Sequence, residues 1–125
     1  MKRNMDRTIA LLIAGSAIAL ATTVVVAQDP TVVDAKHYKV TFENEHVRVL
    51  KITYGPKEKS VLHEHPNGVA IFLTDGQVKF NLPDGKSEEV SVKAGGSAWN
   101  PVGKHLPENM GDKPLEVVLV ELKTK

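Results

Sequence analysis

Short segments in which apolar and polar residues alternate fill most of the chain, and this pattern constrains the fold more than any other feature. In Gln77–Leu82, the side chains of Val78, Phe80 and Leu82 would share one face of a strand. Turn-forming residues such as Pro83-Asp84-Gly85 separate these segments at intervals of roughly 8–12 residues. No long amphipathic pattern of helical period interrupts them. The pattern predicts an all-β fold, built as a sandwich or a barrel.

The boundaries of the segments predict particular strands and turns. The predicted strands are Tyr38–Phe42, His46–Tyr54, Val61–His65, Val69–Thr74, Gln77–Leu82, Ser87–Val92, Ser97–Asn100 and Glu116–Lys123. Asp75-Gly76 predicts a hairpin turn, because both residues tolerate positive φ. A phase slip at Val49-Leu50 predicts a β-bulge, and Pro107-Glu108-Asn109 predicts a turn. The last strand is apolar on both faces, which suits a central strand or a dimer interface.

The first 27 residues differ from the rest and predict an exported protein. Lys2, Arg3 and Arg7 precede a stretch without charges, Ile9–Ala27, that ends in a small residue. This order is typical of a signal peptide over 1–27. An uncleaved membrane anchor is the alternative, since the stretch is just long enough to span a bilayer. Either reading leaves an N-terminal arm at 28–37 and a domain at 38–125 in the periplasm or outside the cell.

Composition excludes several kinds of function. The chain has 125 residues, which suits one domain. It has no cysteine, so disulfides, thiolate zinc sites, iron–sulfur clusters and cysteine nucleophiles are excluded. The formal net charge is only +1, so the sequence does not predict the strongly basic surface that nucleic-acid binding requires. No membrane partner is expected beyond the N-terminal segment.

Three histidines are the candidate metal ligands. His63 and His65 are two residues apart, a spacing that on a strand places both rings on one face and Glu64 on the other. His105 follows after Pro101-Val102-Gly103, and a distant strand of a barrel could bring it to the same point. Three imidazoles suit zinc, iron, copper or nickel and leave coordination positions open for a substrate.

A His-x-His pair alone has a simpler explanation. Two exposed polar residues before a turn, here Pro66-Asn67-Gly68, commonly look the same. His37 and His46 lie in less organised surroundings, and surface or strand-edge roles are expected for both.

Two motifs resemble those of the cupin superfamily. Gly55-Pro56 followed by Leu62-His63-Glu64-His65 and Asp75-Gly76 is similar to the first cupin motif. Gly95, then Pro101-Val102-Gly103-Lys104-His105 and Asn109, is similar to the second. The resemblance covers about residues 45–123 and implies a small single-domain cupin. Its fold would be all-β, a single small antiparallel β-barrel or jelly roll of the double-stranded β-helix type.

One departure from the cupin pattern concerns the metal ligands. The glutamate that usually follows the histidine pair would stand at Val69, and Ala70 follows it. The resemblance therefore implies a site of three histidines without that carboxylate, similar to the three-histidine iron dioxygenases that act on thiols or diketones. Such a site favours an anionic, bidentate substrate. Glu108 is the remaining candidate for an oxygen ligand.

These observations lead to a specific functional hypothesis. We expect one divalent transition metal on His63, His65 and His105, with iron first and zinc, manganese or nickel as alternatives. Pocket residues are expected at Trp99, Phe72 and Asn109, although Trp99 also suits the core and Asn109 suits a loop. No catalytic residue beyond the metal ligands is predicted.

The chain is expected to act on a small molecule as a dioxygenase-like enzyme. The alternatives are a non-catalytic module that binds a small ligand or a metal, and a structural cupin whose histidines only pack. A homodimer through Glu116–Lys123 or Tyr38–Tyr54 is a further expectation.

Overall fold

The structure is a computed structural model that describes residues 28–123. It contains one short helix, α1 (Pro30–Val33), and nine strands. The strands are β1 (Tyr38–Glu43), β2 (Val47–Tyr54), β3 (His63–His65), β4 (Gly68–Phe72), β5 (Gly76–Asn81), β6 (Ser87–Val92), β7 (Ser97–Asn100), β8 (Gly103–Asn109) and β9 (Leu115–Leu122). The predicted signal peptide, 1–27, lies outside the described residues. Within the described range, no helix has the length and apolar character needed to cross a membrane.

Two antiparallel sheets form a jelly roll. One sheet has five strands in the order β1-β2-β9-β4-β7, and the other has four in the order β3-β8-β5-β6. Buried side chains from both sheets form the core between them: Tyr38, Leu50, Ile52, Tyr54, Val78, Val92, Leu115, Val117 and Leu119. The predicted all-β jelly roll is confirmed.

Strand β9 lies in the middle of the five-stranded sheet. It pairs with β2 on one side and with β4 on the other. Leu115, Val117 and Leu119 point into the core, whereas Val118 and Val120 lie on the outer face. A central strand is one of the two positions that its apolar sequence predicted.

The pairing of β3 with β8 brings the two cupin-like motifs together. His63 lies directly opposite His105, and His65 lies opposite Gly103. Strand β8 includes Pro107, Glu108 and Asn109, so the predicted turn there is wrong. A proline fits at this position because β3 pairs with β8 only as far as His105, which leaves Pro107 outside that ladder.

Two local predictions need correction. Asp75-Gly76 does not close a hairpin, because β4 and β5 belong to different sheets. Gly76 is needed for space rather than for positive φ, since a Cβ there would lie 2.8 Å from the Leu115 side chain. The β-bulge also lies on β1, between Val40 and Phe42, and not on β2.

The arm at 28–37 packs against the domain. Asp29 caps α1 by accepting a hydrogen bond from the backbone N–H of Thr31. The helix lies against β1 and β3. The carbonyl of Gln28 accepts a hydrogen bond from the N–H of Glu64, and so the arm borders β3 at the edge of its sheet.

Candidate metal centre and ligand cavity

The side chains of His63, His65 and His105 converge in the interior. One nitrogen of each ring lies within 4.8 Å of the corresponding atoms of the other two. His63 and His65 are buried on one face of β3, and Glu64 between them is only half-buried. The ring centroids of the three histidines are 4.7–5.0 Å apart. The structure thus brings together the three residues that the sequence singled out as metal ligands.

Hydrogen bonds at the Nδ1 atoms hold two of the rings. His63 Nδ1 lies 2.8 Å from the carbonyl oxygen of Val61, and His65 Nδ1 lies 2.7 Å from Glu121 Oε2. Both partners are acceptors, so each Nδ1 carries the proton and each Nε2 is left with a lone pair. The two Nε2 atoms face each other at 3.0 Å.

The Nε2 atoms are better suited to coordinate a metal ion than to form hydrogen bonds with one another. Two unprotonated nitrogens at 3.0 Å cannot form a hydrogen bond. The Nε2 atom of His105 is buried and has no hydrogen-bond partner among the described residues. A cation coordinated by all three atoms would satisfy these lone pairs, and neutral imidazole is a common ligand of zinc, iron, nickel and copper.

The electrostatics keep two of these rings neutral. Burial lowers the pKa of His63 from 6.5 to about 4, with the neighbouring His65 adding to the effect. Burial, followed by the charges of His65 and His63, lowers the pKa of His105 to about 3. Protons therefore compete little with a metal ion for these nitrogens near neutral pH.

Glu121 contacts the histidine cluster and is not among the candidate residues predicted from the sequence. Its side chain is only 2% exposed, and Oε1 accepts a hydrogen bond at 2.8 Å from Arg48 Nε. Burial raises the pKa of this carboxyl, but the hydrogen bonds from His65 and Arg48 outweigh burial and lower it overall. A signal for Glu121 was present, because it follows Leu115, Val117 and Leu119 in the inward series of β9.

Two buried tyrosines flank the histidines, and the sequence analysis did not single them out. The hydroxyl group of Tyr38 lies 3.2 Å from His63 Nε2 and forms a short hydrogen bond with the hydroxyl group of Tyr54. Burial raises the pKa of both phenols, which therefore remain protonated at neutral pH. The inner end of the site has neutral proton donors beside the metal-facing nitrogens.

A cavity of about 340 Å³ extends from the histidines between the two sheets. Its lining is mostly apolar and includes Ile52, Phe72, Val78, Phe80 and Leu119, together with His65, His105, Tyr38 and Tyr54. None of the described residues that line it is a lysine or an arginine. The volume lies within the usual range for small-molecule sites, roughly 300–1,000 Å³.

The predicted pocket residues occupy three different positions. Phe72 lines the cavity wall. Trp99 borders the cavity, but it pairs with Val69 on the outer face of its sheet and is 57% exposed, so it is not a core residue. Asn109 is not a lining residue. Its Nδ2 group donates to the carbonyls of Gly55 and Lys113 and its Oδ1 atom accepts from the N–H of Gly111, so it serves the loop.

Asn100, which the sequence analysis did not consider, also lines the cavity. Its Nδ2 atom is buried and has no hydrogen-bond partner among the described residues. Asn100 lies opposite Gly68, which in turn lies opposite Glu121 in the sheet. A ligand in the cavity could accept a hydrogen bond from this amide.

The structure also corrects two secondary predictions and agrees with a third. Glu108 cannot supply an oxygen ligand, because alternation along β8 places it on the face opposite His105. His37 is not a surface residue: it is 6% exposed, and its ring nitrogens contact Asp34 and Glu58. His46 is exposed, as expected.

No protein-family model matches the sequence, and no curated protein matches it either. The fold is similar to several solved structures. A cupin domain protein from Bordetella pertussis Tohama I is 27% identical, with a TM-score of 0.65 over 70% of this chain and 92% of that one. An RmlC-like cupin from Methanocaldococcus jannaschii with a double-stranded β-helix fold is 22% identical, with a TM-score of 0.54 over 71% and 83%.

The polyketide cyclase RemF from Streptomyces resistomycificus is 17% identical, with a TM-score of 0.53 over 70% of this chain and 64% of that one. At this level of identity only the fold is shared. The chain has the double-stranded β-helix fold of the cupin proteins to which it is similar.

Proposed function

We propose that the protein is a mononuclear-metal enzyme of the dioxygenase type that acts on a small, largely apolar molecule with an anionic, chelating end. The observation that carries this proposal is the convergence of one ring nitrogen from each of three histidines, two of which line an apolar cavity. His63, His65 and His105 would hold the metal, with iron as the first candidate and zinc, manganese or nickel as alternatives.

The described residues offer little acid–base catalysis of their own. Both oxygens of Glu121 are engaged, one by His65 and the other by Arg48. The phenols of Tyr38 and Tyr54 are donors, because burial raises their pKa values. A reaction that relies on the metal suits this arrangement better than hydrolysis or isomerisation, which need a free base.

When bound, the metal would supply Lewis acidity and a binding position for dioxygen. The chain's residues would orient the substrate and exclude water. Phe72, Ile52 and Phe80 would enclose its apolar body, and the amide of Asn100 and the hydroxyl of Tyr38 would donate to its oxygens. Both atoms of dioxygen would enter the product, so the reaction would need no further reductant.

The cavity supports a limit on the substrate. Since no lysine or arginine lines the cavity in the described part of the chain, a carboxylate or sulfonate far from the histidines would have no counter-ion there. A single negative charge would be compensated next to the metal ion itself. Because the carboxylate of Glu88 also lines the cavity, the body of the substrate is expected to carry no negative charge.

A non-catalytic binding module is the second candidate. Among residues 28–123, the groups beside the histidines are neutral donors, and none is a free base. This arrangement is also compatible with a protein that binds a metal or a small ligand without turnover. Export to the periplasm or cell exterior and homodimer formation remain predictions from the sequence.

Metal analysis of the protein is the decisive experiment. The protein should be purified anaerobically without a histidine tag, beside His63→Ala, His105→Ala and the exposed control His46→Ala. We expect about one metal ion per chain in the wild type and in His46→Ala, and little in the other two variants. Equal metal content in all four proteins, or none after reconstitution with iron, manganese, nickel and zinc, would contradict the metal site.

Oxygen consumption then separates the two candidates. The iron-loaded protein, offered a panel of small thiols and diketones, should consume dioxygen in step with substrate loss. Tight binding of such compounds without oxygen uptake would favour the binding module.

A further inference from the structure

We infer that the N-terminal arm, residues 28–37, is a positioning element of the metal site, because its two aspartates fix the outer nitrogens of two ligand histidines. This inference rests on the proposed metal site, and it assigns a role to a segment that the sequence suggested was only a linker or arm. Asp29 acts on His65 through Arg48 and Glu121. Asp34 acts on His63 through Ser60.

The first branch is a chain of charged hydrogen bonds. Asp29 Oδ2 accepts at 2.9 Å from Arg48 Nη1, and Asp29 Oδ1 accepts at 3.3 Å from Nη2. Arg48 Nε donates to Glu121 Oε1 at 2.8 Å, and Glu121 Oε2 accepts from His65 Nδ1 at 2.7 Å. Planar guanidinium groups hold two carboxylates in fixed directions, so Asp29 determines where Arg48 presents its Nε–H to Glu121.

The second branch is shorter and fully buried. Ser60 Oγ donates to Asp34 Oδ2 at 2.6 Å and lies 3.1 Å from His63 Nδ1. Because its own proton points to Asp34, the Ser60 oxygen is free to accept from His63 Nδ1–H. Asp34 is itself held by His37, whose Nδ1 lies 2.8 Å from Asp34 Oδ1.

The arm therefore controls the proton-bearing side of both histidines on β3. Outer partners of this kind fix the tautomer of a ligating histidine and the direction of its ring. His105 has no link to the arm among the contacts described; its ring stacks on Phe80, with centroids 5.4 Å apart. A loosened arm would leave His105 in place and allow His63 and His65 to rotate.

Asp29→Asn is the sharpest test of the first branch. Asparagine caps helices as well as aspartate does, so α1 should persist while the charge that holds Arg48 is lost. Ser60→Ala tests the second branch. Glu43→Gln is the control, because Glu43 is another part-exposed acid that pairs with a basic residue, Lys123, and does not contact the histidines.

Zinc affinity of the full-length variants, measured by competition with a chromophoric chelator, is the first readout. Loss of an outer partner typically weakens metal binding about 10- to 100-fold. Asp29 lies two residues further from the histidine than a direct partner, so we expect Asp29→Asn to weaken zinc binding about 3- to 10-fold. Ser60→Ala should do the same, because Val61 still accepts from His63 Nδ1. Glu43→Gln should bind zinc as tightly as the wild type.

A double variant tests the route from Asp29 to the histidine. If Asp29 acts through Glu121, then Asp29→Asn should cost little more in a Glu121→Gln background. Additive losses would contradict the branch through Arg48 and Glu121.

Histidine NMR of the metal-free protein is the second readout, and it does not depend on metal binding. With ¹⁵N-labelled histidine, the Nδ1–H signal of His65 should shift and exchange faster in Asp29→Asn, while that of His37 should not change. Unchanged His65 and His63 signals in Asp29→Asn and Ser60→Ala would overturn the inference. If the wild type binds no metal, the proposed function fails, and these signals still decide whether the arm positions the histidines.

Discussion

The hydroxyl of Tyr38 is the nearest neutral donor to the histidine nitrogens that would face a metal. It lies 3.2 Å from His63 Nε2, and a metal ion bound at that nitrogen would take its place as partner. The phenol would then be free to donate to a ligand at the metal's open positions. Since burial raises its pKa, Tyr38 keeps its proton through the physiological range.

Tyr38→Phe should separate catalysis from metal binding. We expect kcat to fall about 100-fold, the usual cost of losing one donor to a developing negative charge. Metal content should not change, because the three imidazoles are retained. Tyr54→Phe is the matched control: Tyr54 also lines the cavity, but its hydroxyl bonds to Tyr38 and to none of the three histidines among the contacts described, so its loss should have a smaller effect. A Tyr38→Phe variant with full activity would remove Tyr38 from the mechanism.

At the residue scale, the sequence was informative where chemistry depends on spacing. His63 and His65 could be assigned to one site because residues two positions apart on a strand lie on the same face. Alternation along β9 marked Glu121 as inward-facing, but its contact with His65 and the position of Asn100 could not be assigned, because a single sequence does not show which strands are neighbours. Tyr38 is close to His63 only because two different sheets face each other.

At the scale of a single element, Gly68 on β4 lies between two residues of the candidate site. It pairs with Glu121 on β9 and with Asn100 on β7. A Cβ at this position would lie 2.5 Å from the carbonyl oxygen of Val120 and 3.2 Å from the Cα of Glu121. Both are backbone atoms of the central strand, so they cannot move without disturbing the sheet.

Gly68→Ala should therefore destabilise the protein. Overpacking of this kind costs about 1–3 kcal/mol, which urea unfolding can measure. Zinc binding should weaken as well, because the shift would displace Glu121 from His65. Gly111→Ala is a suitable control, since the nearest atom to its Cβ would be a side-chain oxygen 3.4 Å away. Equal free energies of unfolding for the two variants would show that β9 can shift to accommodate a Cβ at position 68, which would contradict the prediction.

At the element scale, the predicted strands match most of the sheet because alternation alone identifies half-buried strands. Strand β8 (Gly103–Asn109) is absent from the predicted strands, since Pro107 and Asn109 are typical of turns. The Asp75-Gly76 hairpin was wrong for a related reason. Local turn preference cannot show that the chain crosses from one sheet to the other at that point.

For the whole molecule, the buried histidines make stability depend on pH. The ordinary pKa of histidine, 6.5, applies to the unfolded chain. In the folded chain the pKa of His63 is lowered to about 4 and that of His105 to about 3. Between pH 6.5 and 4, the unfolded chain therefore binds more protons than the folded one. The metal-free protein should be most stable above pH 6.5 and should lose stability as the pH falls towards 4.

Urea unfolding in the presence of a chelator, at pH 7.5 and at pH 5, would measure this loss. His105→Leu should reduce the dependence on pH, whereas the exposed control His46→Ala should keep it. Equal slopes in His105→Leu and the wild type would contradict a role for buried His105.

Metal binding should stabilise the folded chain as a whole. An ion at 100 times its Kd stabilises a protein by about 2.7 kcal/mol. For a domain of this size, that corresponds to a rise in Tm of about 10–20 °C. Chelator should reverse the rise, and His63→Ala should not show it. A wild-type Tm that does not respond to iron, zinc, manganese or nickel would favour the structural cupin considered from the sequence.

The central position of β9 has a consequence for folding kinetics. Strands β2 and β4 become neighbours only through β9, so the five-stranded sheet stays divided until residues 115–122 are available. Contacts so distant along the chain make folding slow, because a long loop must close before they form. The Asp29–Arg48–Glu121 link is equally non-local and is completed only when β9 is in place. A partly synthesised chain that lacks β9 would expose unpaired edges of β2 and β4, so this domain should fold only once residues 115–122 have been synthesised.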